Sequence, residues 1–234
     1  MGLHLRQAML INGMLFNSEA WHALTKTHIK QLELVDNQLL RKIFNAHPKT
    51  STAFLHLETG TMPIEFIIAS RRLNYLHNIL ARDKNELVAR VFNVQCENPS
   101  KGDFIELIQN DFKLINEKFD KQLITSMSKN QFKKWVKFRI EKAAFKYLIK
   151  EKEKQSKIQD IIYSKLEIQN YLKSKLFSND EIEILSKLRS QTINLKANFK
   201  KMHFNKVECS IEGCLLEENQ EHLLKSCQPL LSKF

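Results

Sequence analysis

Apolar side chains recur along most of this chain at spacings of three and four residues, the period of one helix face. Leu3 to Leu24 is apolar on most sides, with Leu10, Ile11, Met14, Leu15, Phe16 and Trp21, and reads as a buried helix broken near Asn12-Gly13. Ile29, Leu32, Val35, Leu39, Leu40, Ile43 and Phe44 mark an amphipathic helix, capped by Thr25 or Thr27 and followed by Pro48. Ser51 opens a short helix that Gly60 stops, with Phe54, Leu55 and Leu57 as its apolar side. Thr61 and Pro63 start another, which buries Ile64, Ile67, Ile68, Leu73, Leu76, Ile79 and Leu80 and carries Arg71 and Arg72. A helix over Asn85 to Gln95 follows, then a loop at residues 98–103. Phe104, Leu107, Ile108, Phe112 and Ile115 then return to helical spacing.

Residues 129–157 hold 11 Lys+Arg against 3 Glu. Among the charges stand Phe132, Trp135, Val136, Phe138, Ile140, Phe145, Leu148 and Ile149. The pattern predicts a helix with a wide apolar stripe opposite a strongly basic face. Residues 158–190 read as further helix, with Asn179-Asp180 as a break and cap.

Composition supports the helical reading. Only 5 Gly and 4 Pro occur in 234 residues, too few for the tight turns of a sandwich or barrel. The net charge of +11 is lopsided: residues 1–110 carry +2 and residues 111–234 carry +9. A basic half of this kind suits a polyanion, although Lys is also the ordinary residue of a solvated face. No apolar run reaches the ~18 residues of a membrane span, and no secretory signal pattern opens the chain. Four Cys are too few for a secreted disulfide framework, so an intracellular protein, cytoplasmic or nuclear, is expected.

Three of those cysteines cluster near the C-terminus with a histidine, as Cys209-x4-Cys214-x7-His222-x4-Cys227. Two close pairs of thiolate and imidazole donors are what a tetrahedral zinc site needs, and soft donors favour zinc over hard cations. Gly213 suits a tight turn within the first pair. The alternative is four small buried or surface side chains without a metal. Cys96 has no companion.

Other chemistry is absent from the sequence. It contains no Asp-Asp pair to hold two catalytic metal ions, no Gly-rich phosphate loop, no Gly-x-Ser-x-Gly and no His-Glu-x-x-His. His22, His28, His47, His56 and His77 lie beside apolar runs and read as structural. Glu58 and Asp36 are expected to pair with Arg41, Arg71 or Arg72 between helices. No catalytic residue is assigned.

Several strings together resemble the segment that follows the palm in reverse transcriptases of non-LTR (LINE-like) retrotransposons. They are Leu5-Arg6-Gln7-Ala8-Met9-Leu10-Ile11-Asn12-Gly13, Asn17-Ser18-Glu19-Ala20-Trp21 and Leu39-Leu40-Arg41-Lys42-Ile43-Phe44. Leu57-Glu58-Thr59-Gly60, Pro63-Ile64 and Arg71-Arg72-Leu73-Asn74-Tyr75-Leu76 continue them. The Cys/His cluster, with Glu221-His222-Leu223-Leu224, is similar to the zinc-binding segment that closes many such polyproteins. The gap between Cys209 and Cys214 is wider than that family's usual one.

The resemblance implies a helical thumb over 1–116, a Lys-rich helical linker region over 117–191 and a zinc-binding module over 192–234. The fingers and palm, with their metal-binding aspartates, would lie upstream of Met1. The expectation is thus a mostly α-helical protein without its own polymerase centre. It would bind RNA or DNA backbones through Arg71, Arg72, Lys133, Lys134, Lys137, Arg139, Lys142 and Lys146, with zinc at the cluster. A reverse transcriptase palm would be its protein partner. The alternatives are a helical interaction module that docks on a palm or another partner through Leu10, Leu15, Phe16 and Trp21, and a decayed element copy without present function.

Overall fold

The computed structural model describes residues 2–21, 24–174 and 176–193, together with 209, 214, 216–219, 221, 222, 225 and 227. It is mostly helical. The N-terminal segment runs as α1 (Gly2–Leu5), a π-helical stretch (Arg6–Ile11) and α2 (Asn12–Met14), followed by a 3-10 turn (Ser18–Ala20). Then come α3 (Lys26–Ile43), α4 (Thr52–Thr59), α5 (Ile64–Leu80), α6 (Leu87–Glu97), α7 (Phe104–Leu114) and α8 (Lys121–Ser126). The series ends with α9 (Lys129–Glu153), α10 (Asn170–Lys173) and α11 (Asn179–Arg189).

Helix starts follow local capping chemistry. Thr25 Oγ1 accepts from the His28 amide, and His28 Nδ1 accepts in return from Thr25 N. Ser128 and Gln131 form the same reciprocal box at α9, and Ser178 and Glu181 at α11. Asp120 caps α8, a short helix that hydrophobic spacing did not announce.

α5 is the central element. Ile64 and Ile68 pack against Ile11 and Leu15 of the N-terminal segment, with half-buried Trp21, Ile29 and Leu32 around them. Its other side, Phe66, Ala69, Leu73 and Leu76, meets Phe92 of α6, Ile108 and Phe112 of α7, Ile124 of α8 and Phe132, Val136, Ile140 and Ala144 of α9. The main core therefore runs across the boundary expected at 116/117, and α9 packs as part of the same unit as α5–α7.

The buried side chains of α9 are Phe132, Val136, Ile140, Ala144, Leu148 and Lys152, every fourth residue. At 3.6 residues per turn, a step of four advances about 40°, so the stripe winds about 200° around the helix. Its first half faces α5, Leu148 faces Ala53 and Leu57 of α4, and Lys152 Nζ donates to Gln159 O and Ile161 O, both at 2.6 Å. The expected wide stripe holds except at Phe138: half-buried Trp135, Phe145 and Ile149 pack beside the fully buried line, whereas Phe138 is exposed.

Two expectations on extent change. The N-terminal helix runs through Asn12-Gly13 and stops at Met14, where Leu15 leaves helical geometry at φ −102°, ψ 24°, and Asn17 then turns left-handed at φ 55°. Residues 155–169 form an irregular strap rather than helix. Ile158 is drawn into a cluster with Leu40, Phe54 and Leu55, and this tertiary burial outweighs local helix preference.

The strap crosses the end of α4 at Leu57-Glu58-Thr59-Gly60. Gln169 N donates to Glu58 O at 2.9 Å, and Thr59 pairs with Ile168 in an isolated antiparallel bridge. Gly60 has φ +64°, and a Cβ there would lie 2.5 Å from Glu167 C and Ile168 N. The buried Glu58 carboxylate accepts from Tyr163 OH at 2.5 Å and from Arg189 Nη2 at 2.8 Å. Burial, reinforced by Glu58, pushes the Tyr163 hydroxyl up, so it remains a donor.

The other buried ion pairs are Arg6–Asp36, bidentate at 2.6 and 2.5 Å, and Arg72–Asp111, bidentate at 2.6 and 2.9 Å. The expected partners of Asp36 and Glu58 are thus replaced by Arg6 and Arg189. Two of the histidines beside apolar runs make structural contacts: His77 Nε2 lies 3.0 Å from Met127 O, and His56 Nδ1 lies 2.9 Å from Thr61 Oγ1. His22 lies outside the described residues.

Candidate metal centre and basic helix

Cys209, Cys214, His222 and Cys227 converge as the spacing predicts. One donor atom from each lies within 4.8 Å of all the others. A tetrahedral zinc with these ligands would set its donors roughly 3.5–3.8 Å apart, so small side-chain adjustments suffice. Cys214 Sγ stands 3.1 Å from His222 Nε2, which makes Nε2 the atom that faces the thiols. Cys209, His222 and Cys227 are buried and Cys214 is half-buried. None of the four cysteines forms a disulfide.

Local backbone bonds bring the donors together. Cys227 N donates to His222 O at 2.8 Å, which returns the last cysteine to the histidine across a single turn. His222 N donates to Asn219 Oδ1 at 2.8 Å, and Cys209 N to Leu216 O at 2.8 Å. The buried Nδ1 of His222 has no hydrogen-bond partner among the described residues. Gly213 lies outside them. Three thiols and an imidazole with this separation can hold a metal ion.

The expected nucleic-acid residues divide into two groups. Lys133, Lys134, Lys137, Lys142 and Lys146 are exposed along α9. Lys137 approaches Glu141 at 3.8 Å, while Lys133, Lys134, Lys142 and Lys146 have no ion pair among the described residues. Arg139 is partly engaged: it pairs with Glu117 at 3.0 Å and lies 5.8 Å from the Trp135 ring centroid.

Arg72 does not belong to this face. It is buried, and Asp111 neutralises it across the α5–α7 contact. Arg71 is half-buried, and its guanidinium donates to Leu15 O, to Ser18 Oγ and to Asn12 Oδ1. It fastens the turn after α2 rather than standing free. Helical spacing set both arginines on α5 but carried no signal for partners 39 and 56 residues away.

The apolar side chains expected to dock on a partner also divide. Leu15 is fully buried in the α5 contact, Trp21 is half-buried beside it, and Phe16 is 71% exposed. Among the described residues, no helix is long and apolar enough to cross a membrane.

Comparison with protein families, with curated proteins and with solved structures finds no match to this chain.

Proposed function

We propose that this chain is a nucleic-acid-binding protein that contacts phosphates through α9 and carries a structural zinc at Cys209, Cys214, His222 and Cys227. Exposed Lys133, Lys134, Lys142 and Lys146 on α9, with no acidic partner among the described residues, carry the reading. Unpaired ammonium groups on one rigid helix release counterions when they meet a phosphate backbone, and they read no base edges. Binding is therefore steeply salt-dependent and nearly sequence-blind. The donor chemistry of three thiolates and one imidazole supports zinc. The resemblance of the N-terminal strings and of the Cys/His segment to non-LTR reverse transcriptases supports a thumb-and-linker role beside a polymerase palm, in an intracellular setting.

The test is a filter-binding titration between ~50 and ~200 mM salt. Affinity for RNA or DNA should fall steeply across that range, and the slope should shrink by about one for each of Lys142→Ala and Lys146→Ala. A salt-insensitive affinity would sink the reading. For the metal, elemental analysis should find one zinc per chain, lost in Cys214→Ser.

The interaction-module alternative draws on α6, where Leu87, Val91 and Val94 are exposed on one face. Sedimentation with and without a candidate partner separates it from the first reading, because it requires association that salt does not weaken.

A further inference from the structure

An open groove of about 530 Å³ lies between the N-terminal segment, α5 and the first turns of α9. Its lining includes Phe16, Asn17, Asn78, Arg71, Lys129 and Lys133. Phe16 is 71% exposed, yet the turn that carries it is well fixed. Arg71 holds the flanking Leu15 O and Ser18 Oγ, and Leu15 itself is fully buried. An aromatic ring is thus presented to solvent on an anchored turn, beside cations.

The charges suit an anion. Lys129 and Lys133 are one helical turn apart and exposed. The recorded hydrogen-bond partners of Arg71 are all neutral oxygens, so none of them cancels its charge. Glu19 is the acid among the lining residues and leaves the groove net positive. Asn17 and Asn78 add amides, each with a donor and an acceptor that match the edge of a base.

We propose that this groove takes a single-stranded segment of nucleic acid, with one base stacked on Phe16 and the flanking phosphates neutralised by Lys129 and Lys133. The inference rests on the nucleic-acid reading above and deepens it. A volume within the ~300–1,000 Å³ of small-ligand pockets accommodates one or two splayed nucleotides. A duplex offers no free base face to Phe16 and could use only the lysines. Stacking on an exposed ring beside a cationic wall is the recurrent chemistry of single-strand binding.

Fluorescence anisotropy on the full chain tests this, with a short oligothymidylate and a blunt duplex of equal length as probes. Phe16→Ala should weaken oligothymidylate binding roughly tenfold and leave duplex binding unchanged. Phe16→Tyr should restore the loss. Phe16 is exposed, so the thermal midpoint of both variants should match that of the parent. An oligothymidylate affinity unchanged in Phe16→Ala overturns the inference. So does a chain that binds the duplex alone, which leaves the broader reading in place. A chain that binds neither probe overturns both.

Discussion

Replacing Gly60 by alanine tests how the strap is seated on α4. Two costs arise at this position. A left-handed backbone at φ +64° costs an L-residue roughly 1–2 kcal/mol. The added Cβ would also lie 2.5 Å from Glu167 C and Ile168 N, where comfortable carbon contacts begin near ~3.5 Å. The strap would have to retreat by about 1 Å. That retreat breaks the Gln169 N to Glu58 O bond and the Thr59–Ile168 bridge, at about 1 kcal/mol for the hydrogen bond.

Gly60→Ala is therefore expected to lose roughly 2–3 kcal/mol, read as a lower urea midpoint at unchanged m-value. Two other glycines calibrate the result. Gly102 has φ +84° with open space around it, so Gly102→Ala should cost only the backbone part, roughly 1–2 kcal/mol. Gly13 sits in α2 with nothing within 4 Å, so Gly13→Ala should stabilise by about 0.5–1 kcal/mol. If Gly60→Ala proves no worse than Gly102→Ala, the close approach of the strap is wrong.

Further outcomes follow from the buried charges and the thiol cluster. Arg189→Ala leaves the buried Glu58 carboxylate without its cation and should cost about 2 kcal/mol by urea denaturation, less than for a fully buried pair because Arg189 is one-third exposed. Adding Glu58→Gln should recover part of that loss, whereas simple additivity of the two changes would contradict the pairing. His56 is held down to about 3, first by burial and then by the Arg6 charge. Its folded pKa lies below the unfolded ~6.5, so the stability it contributes is complete above that pH and disappears as pH falls towards 3. His56→Gln, which cannot titrate, should flatten the stability profile between those values, and an unchanged acid limb would refute the assignment. Chelation of the parent protein should expose the cluster thiols to a thiol reagent, while His222→Ala should react without chelator.

Much of the helical layout was legible in the chain. Ile29 to Phe44 and Ile64 to Leu80 repeat at three and four residues, and α3 and α5 occupy those stretches. Gly60 does end α4, and the Cys/His spacing does bring its four donors together. Hydrophobic period reports that a helix has a buried face but not which element covers it. The pairings Arg6–Asp36, Arg72–Asp111 and Glu58–Arg189 span 30, 39 and 131 residues, and only the packed arrangement of helices sets them. That is why Arg72 read as a surface cation and proved to be an internal one. The strap was misread for the same reason: Ile158 and Tyr163 have residue types that fit a helix, and their burial against α3 and α4 decides otherwise. On α9 the broad apolar stripe is legible apart from Phe138, but the period of four that winds its buried line from α5 round to α4 is not.

The Glu58–Arg189 contact has a consequence for the order of folding. It closes 131 residues of chain, whereas α5, α6 and α7 meet across short connections. The entropy lost on closing a long loop must be met before its contacts contribute, so the α5–α7 core is expected to assemble first and the strap with α11 to dock last. In the folded protein the same ranking runs backwards. Amide hydrogens of residues 155–174 and 176–189 are expected to exchange through a local opening that leaves α5 and its neighbours protected, and a protease should find its first cut in the strap.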